Sequence, residues 1–383
     1  MVDSGHVPCP SGDVLVLNCG SSSVKIAIVD AATGARRASW LREAVPPGGQ
    51  GSAVEAVLRE LTDATTAGLI GVGHRVVHGG PDLVQSTVVD DRVRAALGDV
   101  VALAPLHLPA NLAGIDAASG ALSHLRHVAV FDTGFHHTLP PRAYRYAVPQ
   151  AWYDQHGARR YGFHGISCRY VTKRTAELLD RPLDELRLVV AHLGGGCSAT
   201  AVRDGLSVDT TMGFTPLEGL VMGTRSGDID PGLLSYLAPR LGLALDELVS
   251  ELNRHSGLLG LSGVGDDVRD ISDAAEKGSS AAALALDVYC YRLAKTVAAL
   301  AVPLERLDAL VFTAGTGEHS AEVRSRTMSL LGIMGIQEDS PANAVHGGDT
   351  GGIISNGNGP LVLVVPTDEE RVVAADTATL LIS

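Results

Sequence analysis

Val16–Asp30 reads VLNCGSSSVKIAIVD, and Val190–Asp204 reads VAHLGGGCSATAVRD. In each, an apolar run meets a turn of small residues and a second run follows, the pattern of strand, tight turn, strand. Aligned without gaps, the stretches share Val, Gly, Ala and Asp, four positions of fifteen. Two unrelated hairpins would account for that. So would an internal duplication that sets one hairpin in each of two facing domains. Turns of small residues let backbone N–H groups approach phosphate oxygens closely. A duplication would bring two such turns to one cleft.

Further strands are expected at Arg36–Arg42, Leu69–Val76, His127–Phe131, Leu206–Thr210, Leu307–Thr313 and Leu361–Pro366. Helices are expected at Ser52–Ala67, with Ser52 as N-cap, at Ser167–Leu179, Pro231–Leu252 and Ser279–Ala301, and from about Asp368 to the end. Residues 1–12 read as an unstructured leader without the basic and apolar regions of a signal peptide.

With 383 residues, 45% of them apolar, the chain can build two cores, and with 4% aromatics those cores must come from Val, Leu, Ile and Ala. A net charge of −13 argues against a nucleic acid or an anionic membrane as partner. It leaves room for a local arginine cluster that binds phosphate. No apolar run approaches the length of a membrane span. Five scattered cysteines form neither a metal spacing nor a disulfide framework, which points to a reduced, cytoplasmic protein.

Several segments carry polar groups where chemistry collects. Asn18–Lys25, NCGSSSVK, is a polar hairpin turn or a Mg-phosphate loop; it is not GxxxxGK[ST]. Gly73–Gly80, GHRVVHGG, ends a buried strand on Arg75, which needs an anionic partner, either a structural carboxylate or a bound phosphoryl or carboxylate group. Asp132 follows the strand His127–Phe131 and either caps a turn or joins a site at the strand end. His164, between Gly162 and Gly165, is a satisfied loop histidine or a donor to a phosphoryl oxygen. Met212–Gly232 has little periodicity, many Gly, Pro and Thr residues and one basic residue, Arg225, and reads as a long functional loop. Phe312–Ser320, FTAGTGEHS, is strand, glycine turn and helix start, a nucleotide-site pattern. Glu369 and Glu370 follow the last strand, where acidic residues also favour a helix N-terminus.

Together the segments LVLNCGSSSVK, GHRVVHGG, APLHLPANLAGI, FDTGFHHTLP, YGFHGIS, HLGGGCS, TPLEGLVMGTRSGDIDP, SGVGDDVRDI, FTAGTGEHS and VVPTDEE resemble the acetate kinase family, within the acetate and sugar kinase, Hsp70 and actin superfamily. The resemblance runs from Val14 to about Thr377. It implies an α/β chain of two duplicated ribonuclease-H-like (actin-like ATPase) domains around a central cleft. The first would span 1–155 plus 368–383. The second, 156–367, would bind nucleotide and form a homodimer. The implied reaction moves the γ-phosphoryl group of ATP to acetate, giving acetyl phosphate and ADP, with Mg²⁺ or Mn²⁺.

By motif position, the resemblance implies that Asn18 and Glu369 organise the metal and that Ser21, Ser23 and Lys25 form the phosphate loop. Arg75 and Arg225 would grip carboxylate and phosphoryl group, Asp132 would be the catalytic aspartate, and His164 would stabilise the transition state. His192, Leu193, Gly194, Gly195 and Gly196, then Asp267, Val268 and Arg269, then Gly315, Thr316, Gly317, Glu318 and His319 would hold ATP. Arg75, Val77, Leu106, Phe163 and Pro216 would line the acyl pocket. The chain departs from the family pattern at Cys19 (usually Ala), Cys168 (often His) and Gly195 (usually Asn).

The residue types suit a loose phosphoryl transition state, whose equatorial charge arginine, histidine and Mg²⁺ stabilise. A carboxylate is already ionised at pH 7 and needs no general base, so Asp132 is read as orienting Mg²⁺, Arg75 or the acceptor. Transfer would be direct and in line. Propionate or butyrate kinase is an alternative, since one methylene in an apolar pocket is worth only about 1–3 kcal/mol. A nucleotide-driven scaffold without transfer is another, opposed by Arg75, Arg225 and His164 together.

Overall fold

The computed structural model describes residues 11–20 and 22–382. Two compact units emerge: one runs to Phe135 and resumes at Asp368, the other is His136–Thr367.

The first unit is built on strands β1 (Asp13–Cys19), β2 (Val24–Asp30), β3 (Arg36–Arg42), β4 (Leu69–Val76), β5 (Thr87–Val88) and β6 (His127–Phe131). Their order is β3-β2-β1-β4-β6-β5. The first two pairings are antiparallel; β1–β4 and β4–β6 are parallel. Inner strands carry unbroken apolar runs, such as Val14–Leu17 and Val128–Phe131, because both faces are covered, whereas edge strand β3 alternates. Helices Gln50–Glu60 and Leu108–Ala121 cover one face, with Val54, Val57 and Ala118 set against Leu15, Leu17 and Ile26. The C-terminal helix Glu369–Ile382 lies on β4 and β1. Glycines in β4 permit that approach: a Cβ on Gly71 would sit 2.1 Å from Leu381 Cδ1, and one on Gly73 2.5 Å from Thr377 Oγ1.

In the second unit, β7 (Arg187–Leu193), β8 (Cys197–Arg203), β9 (Leu206–Thr210), β10 (Ala309–Thr313) and β13 (Leu361–Val364) stand in the order β13-β10-β7-β8-β9, while β11 (Gln337–Glu338) and β12 (Ser355–Asn356) form a separate ribbon. Again two antiparallel pairings lead to two parallel ones. The two sheets therefore repeat one ribonuclease-H-like topology, β7 standing for β1, β10 for β4 and β13 for β6.

Some local expectations shift. The helix expected at Ser52–Ala67 begins at Gln50 after Gly49, without a side-chain cap, and ends at Glu60. Thr62 then starts a new turn by accepting from Thr65 N at 3.3 Å. Pro231–Leu252 is two helices, Pro231–Leu241 and Leu245–Arg254, separated at Gly242 with φ of 69°. Helix Leu108–Ala121 escapes the periodicity test because small or apolar residues occupy most of its surface. The division between the units falls at 135/136, not 155/156: His136 bonds Ser207 Oγ at 2.9 Å, and Thr138 Oγ1 donates to Ser207 O at 2.8 Å. Of the leader, residues 1–10 lie outside the described residues.

Candidate active site

Polar groups of the first unit gather at the carboxyl ends of β1, β4 and β6. Asn18 on β1 is the register partner of Arg75 on β4, and Asp132 follows β6. Arg75 donates to Asp132 through Nε at 3.1 Å and Nη2 at 2.8 Å, a two-pronged pair. Its Nη1 lies 3.1 Å from Glu369 Oε2. Burial alone would lower the Arg75 pKa; the Asp132 and Glu369 carboxylates reverse that and hold it above its ordinary value. Asp132 is buried and committed to Arg75. Nearby, Glu370 takes Lys25 Nζ at 2.7 Å and Arg36 Nε at 2.8 Å.

Between β1 and β2 the turn 20–23 closes through Gly20 N donating to Ser23 O at 2.8 Å. Ser21 lies outside the described residues. Buried Asn111, in a motif the sequence supplied without a role, donates to Cys19 O at 2.8 Å and accepts from Val77 N at 3.0 Å, fastening the ends of β1 and β4 together. Cys19 is buried against Gly114, where a Cβ would approach its Sγ to 2.4 Å, and burial pushes its thiol up to about 12. Val77 packs beside the apolar cluster of Val76 and Leu108, and Leu106 is exposed.

The second unit gathers a different set. His164 holds a left-handed backbone, φ 58°, just before helix Gly165–Leu179. Its Nδ1 is 3.0 Å from Ser198 Oγ, and its ring stacks on His192 at 4.1 Å between centroids. His192 Nδ1 is 2.8 Å from Ser167 Oγ, which is 2.7 Å from Thr367 Oγ1. Arg225 converges on the same place: a Cβ on Gly196 would stand 3.2 Å from Arg225 Nη1 and 3.3 Å from His164 Nε2. Arg225 Nη1 donates to Pro216 O at 2.9 Å. Among the described residues no carboxylate pairs with this partly buried guanidinium, and burial lowers its pKa, with Cys197 opposing. Phe163 is fully buried.

Beside this cluster opens a cavity of about 650 Å³, of the size that takes a nucleotide-sized ligand. Gly194, Gly195, Asp267, Val268, Arg269, Gly315, Thr316 and His319 line it. Asp266, Ser272, Asp273, Ser320 and Glu322 line it too and were not foreseen. Asp267 caps helix Val268–Glu276 and pairs with Arg269, whose hydrogen bond lowers the Asp267 pKa. Leu193, Gly317 and Glu318 stand behind the wall. Leu193 is fully buried, and Gly317 packs its short helix on the sheet, where a Cβ would lie 3.4 Å from Phe312 C. Glu318 Oε1 accepts from Ala314 N at 2.9 Å and Thr367 N at 3.1 Å, clasping the ends of β10 and β13.

Two sheets of one topology, with a nucleotide-sized cavity and basic groups at their carboxyl ends, define a phosphotransferase of the actin-like ATPase class. The chain belongs to the acetokinase family, whose model matches residues 41–375; its members are phosphotransferases with a carboxyl group as acceptor. It is 50% identical to the acetate kinase of Deinococcus radiodurans, over 96% of this chain and 97% of that one. To the acetate kinase of Ectopseudomonas mendocina it is 49% identical, over 96% and 99%. The crystal structure of Porphyromonas gingivalis acetate kinase matches with a TM-score of 0.88 and 39% identity, covering 97% of this chain and all of that one. A propionate kinase from Francisella tularensis matches with a TM-score of 0.88 and 37% identity, covering 95% and 98%.

Proposed function

We propose that this chain reversibly transfers the γ-phosphoryl group of ATP to acetate, giving acetyl phosphate and ADP. The observation that carries the reading is Arg225: a partly buried guanidinium without a carboxylate partner among the described residues, meeting His164 Nε2 at Gly196, next to a nucleotide-sized cavity. Such a cation awaits an anion.

The nucleotide occupies the cavity with its phosphates toward Gly194–Gly196, where backbone N–H groups can face them. Arg225 and His164 then meet the charge that develops on the equatorial oxygens of the transferring group. Asp132 does not take a proton from acetate, which has none to give at pH 7; it fixes the Arg75 fork toward the acceptor carboxylate. The acyl methyl is assigned to Val77, Leu106, Phe163 and Pro216, as the family resemblance implies.

The donor set of the first unit fits Mg²⁺. The Asn18 amide oxygen and the Glu369 carboxylate are hard oxygen donors flanking Arg75, and Mg²⁺ commonly takes few protein ligands and completes its shell with phosphate and water. When bound, the ion supplies Lewis-acid stabilisation of phosphate charge.

The working form is inferred to be a cytoplasmic homodimer that uses the second unit as its interface. Exposed Leu233, Tyr236, Leu241 and Leu245 support a covered surface there, and the buried free cysteines suit a reducing compartment. No helix among the described residues is long and apolar enough to cross a membrane.

The test is acyl phosphate formation from ATP, Mg²⁺ and formate, acetate, propionate or butyrate, trapped with hydroxylamine. A maximum at acetate is expected. A maximum at propionate keeps the chemistry and reassigns the pocket; no product with any acid overturns the reading.

A further inference from the structure

The segment that carries Arg225 has no regular structure between Met212 and Ile229. Arg225 nonetheless needs a fixed guanidinium, and among the described residues its side chain donates to Pro216 O at 2.9 Å and to Met222 Sδ at 3.6 Å. The position of Pro216 therefore decides where the cation points.

Pro216 sits in the middle of the bight 214–218, and one hydroxyl closes that bight. Tyr146 Oη accepts from Phe214 N at 2.8 Å and donates to Glu218 Oε2. Arg160 holds the other carboxylate oxygen: Nη2 donates to Glu218 Oε1 at 2.5 Å, while Nη1 donates to Thr211 O at 2.7 Å. Tyr161 N donates to Gly213 O at 3.0 Å, so the entry to the bight is pinned as well. Gly213 leaves space for the network, since a Cβ there would stand 1.6 Å from Glu218 Oε2 and 2.2 Å from Tyr146 Oη. Neither the nucleotide cavity nor the His164 cluster includes Tyr146, Arg160 or Glu218.

We propose that Tyr146, Arg160 and Glu218 are positioning residues that set the Arg225 guanidinium by closing the bight around Pro216. Tyr146 ties the two ends of the bight, Glu218 turns its closing end toward that hydroxyl, and Arg160 anchors the carboxylate to the end of β9. Charge-assisted hydrogen bonds to Glu218 make the closure stiff. A side chain in this network acts on phosphoryl transfer through Arg225, and on the KM for acetate through Pro216, which is assigned to the acyl methyl. This rests on the role given to Arg225 above.

Tyr146→Phe and Glu218→Gln in the full chain test it, with kcat and KM for acetate and ATP, thermal stability, and the same substitutions in an Arg225→Lys background. Tyr146→Phe removes one oxygen and keeps the ring. Misplacing a catalytic group by about 1 Å costs up to about a hundredfold, so a ten- to hundredfold fall in kcat is expected, with KM for ATP unchanged. In the Arg225→Lys background, the same substitution should change kcat less than threefold, because a lysine does not use the Pro216 anchor in the same geometry. Full, multiplicative effects in both backgrounds, or unchanged kcat for both single variants, overturn the proposal. If the unsubstituted protein forms no acyl phosphate, the functional reading fails first, which is a separate outcome.

Discussion

Each unit offers one arginine to the chemistry, and the two are held in opposite ways. Arg75 is gripped by two carboxylates, Asp132 and Glu369. Arg225 rests on a carbonyl and a thioether. The sheets that carry these sites share one strand order, so the difference lies at the strand ends. Register makes the comparison residue by residue. Asn18 pairs with Arg75, and His192 pairs with Thr313. Thus the place of Arg75 in the first sheet is taken by a threonine in the second, and the second unit obtains its cation from the 212–229 loop. A neutralised arginine orients; one without a counterion binds an anion. The division suits a reaction between a carboxylate that must be aligned and a phosphoryl group whose charge must be met.

The largest expected effect separates the two cations. Arg225→Ala should lower kcat by about 10²–10³-fold, or about 2.7–4 kcal/mol, the loss of one transition-state donor. Its stability should stay within about 1 kcal/mol of the parent, because no ion pair is broken. Hydroxylamine trapping and urea unfolding on the same preparation check both. A loss confined to the KM for acetate would contradict the assigned role.

Asp132→Ala should do the reverse in kind. It strips a buried guanidinium of its two-pronged partner and leaves Glu369 alone. Removing one member of a buried pair costs about 3 kcal/mol, read as a lower urea midpoint at unchanged slope. Activity should fall as well, yet without the proton-transfer limb that loss of a general base would remove from the pH profile. A stable Asp132→Ala protein would mean that the Arg75 pair does not hold the first unit together.

The strands were legible because buried parallel strands carry unbroken apolar runs, as in Val128–Phe131 and Ala309–Phe312. The duplication was legible for a partly wrong reason. In β1–β2, Val16 pairs with Ala27; in β7–β8, Val190 pairs with Thr200, since the turn 194–196 is one residue shorter than 20–23. The shared Ala and Asp of the gap-free alignment are therefore not register equivalents, and the repeat is one of topology. Small-residue turns and strand-end arginines could be read because chain-local chemistry demands them. The partners could not. Asp132 is 57 residues from Arg75, and Tyr146 is 72 from Glu218; only the folded sheets bring them together. Capping misled at Ser52 because a glycine turn at Gly49 started the helix without a side-chain cap.

Register also pairs His74 with Phe312 as equivalents, each one strand position before Arg75 or Thr313. His74 is buried 2.9 Å from His127 Nδ1, and burial, with the His127 charge adding to it, pushes its pKa down to about 3. The sign follows from linkage: below the unfolded value of 6.5 the unfolded chain holds a proton that the folded chain lacks. The stability present above pH 6.5 is lost as pH falls toward 3. Between pH 6.5 and 5.5 this group should cost about 1 kcal/mol. His74→Phe, which copies the second sheet, should flatten that slope in urea unfolding at the two pH values. An unchanged slope would place the acid sensitivity elsewhere.

The smallest expected effect concerns how the second unit orients its histidine. Ser198 Oγ is 3.0 Å from His164 Nδ1, but the ring is also stacked on His192 at 4.1 Å. Two restraints share one task, so removing the hydroxyl leaves the ring plane held by the stack and frees only its rotation and tautomer. Ser198→Ala should therefore lower kcat about three- to tenfold, roughly 1 kcal/mol, the net worth of one hydrogen bond. His164→Ala, which removes the donor itself, should cost more, and the double variant no more than His164→Ala alone. If the double variant is slower than His164→Ala, Ser198 acts on the phosphoryl group by another route. The second unit would then hold a donor besides Arg225 and His164, and its contrast with the first, where one arginine is fixed by carboxylates, would widen.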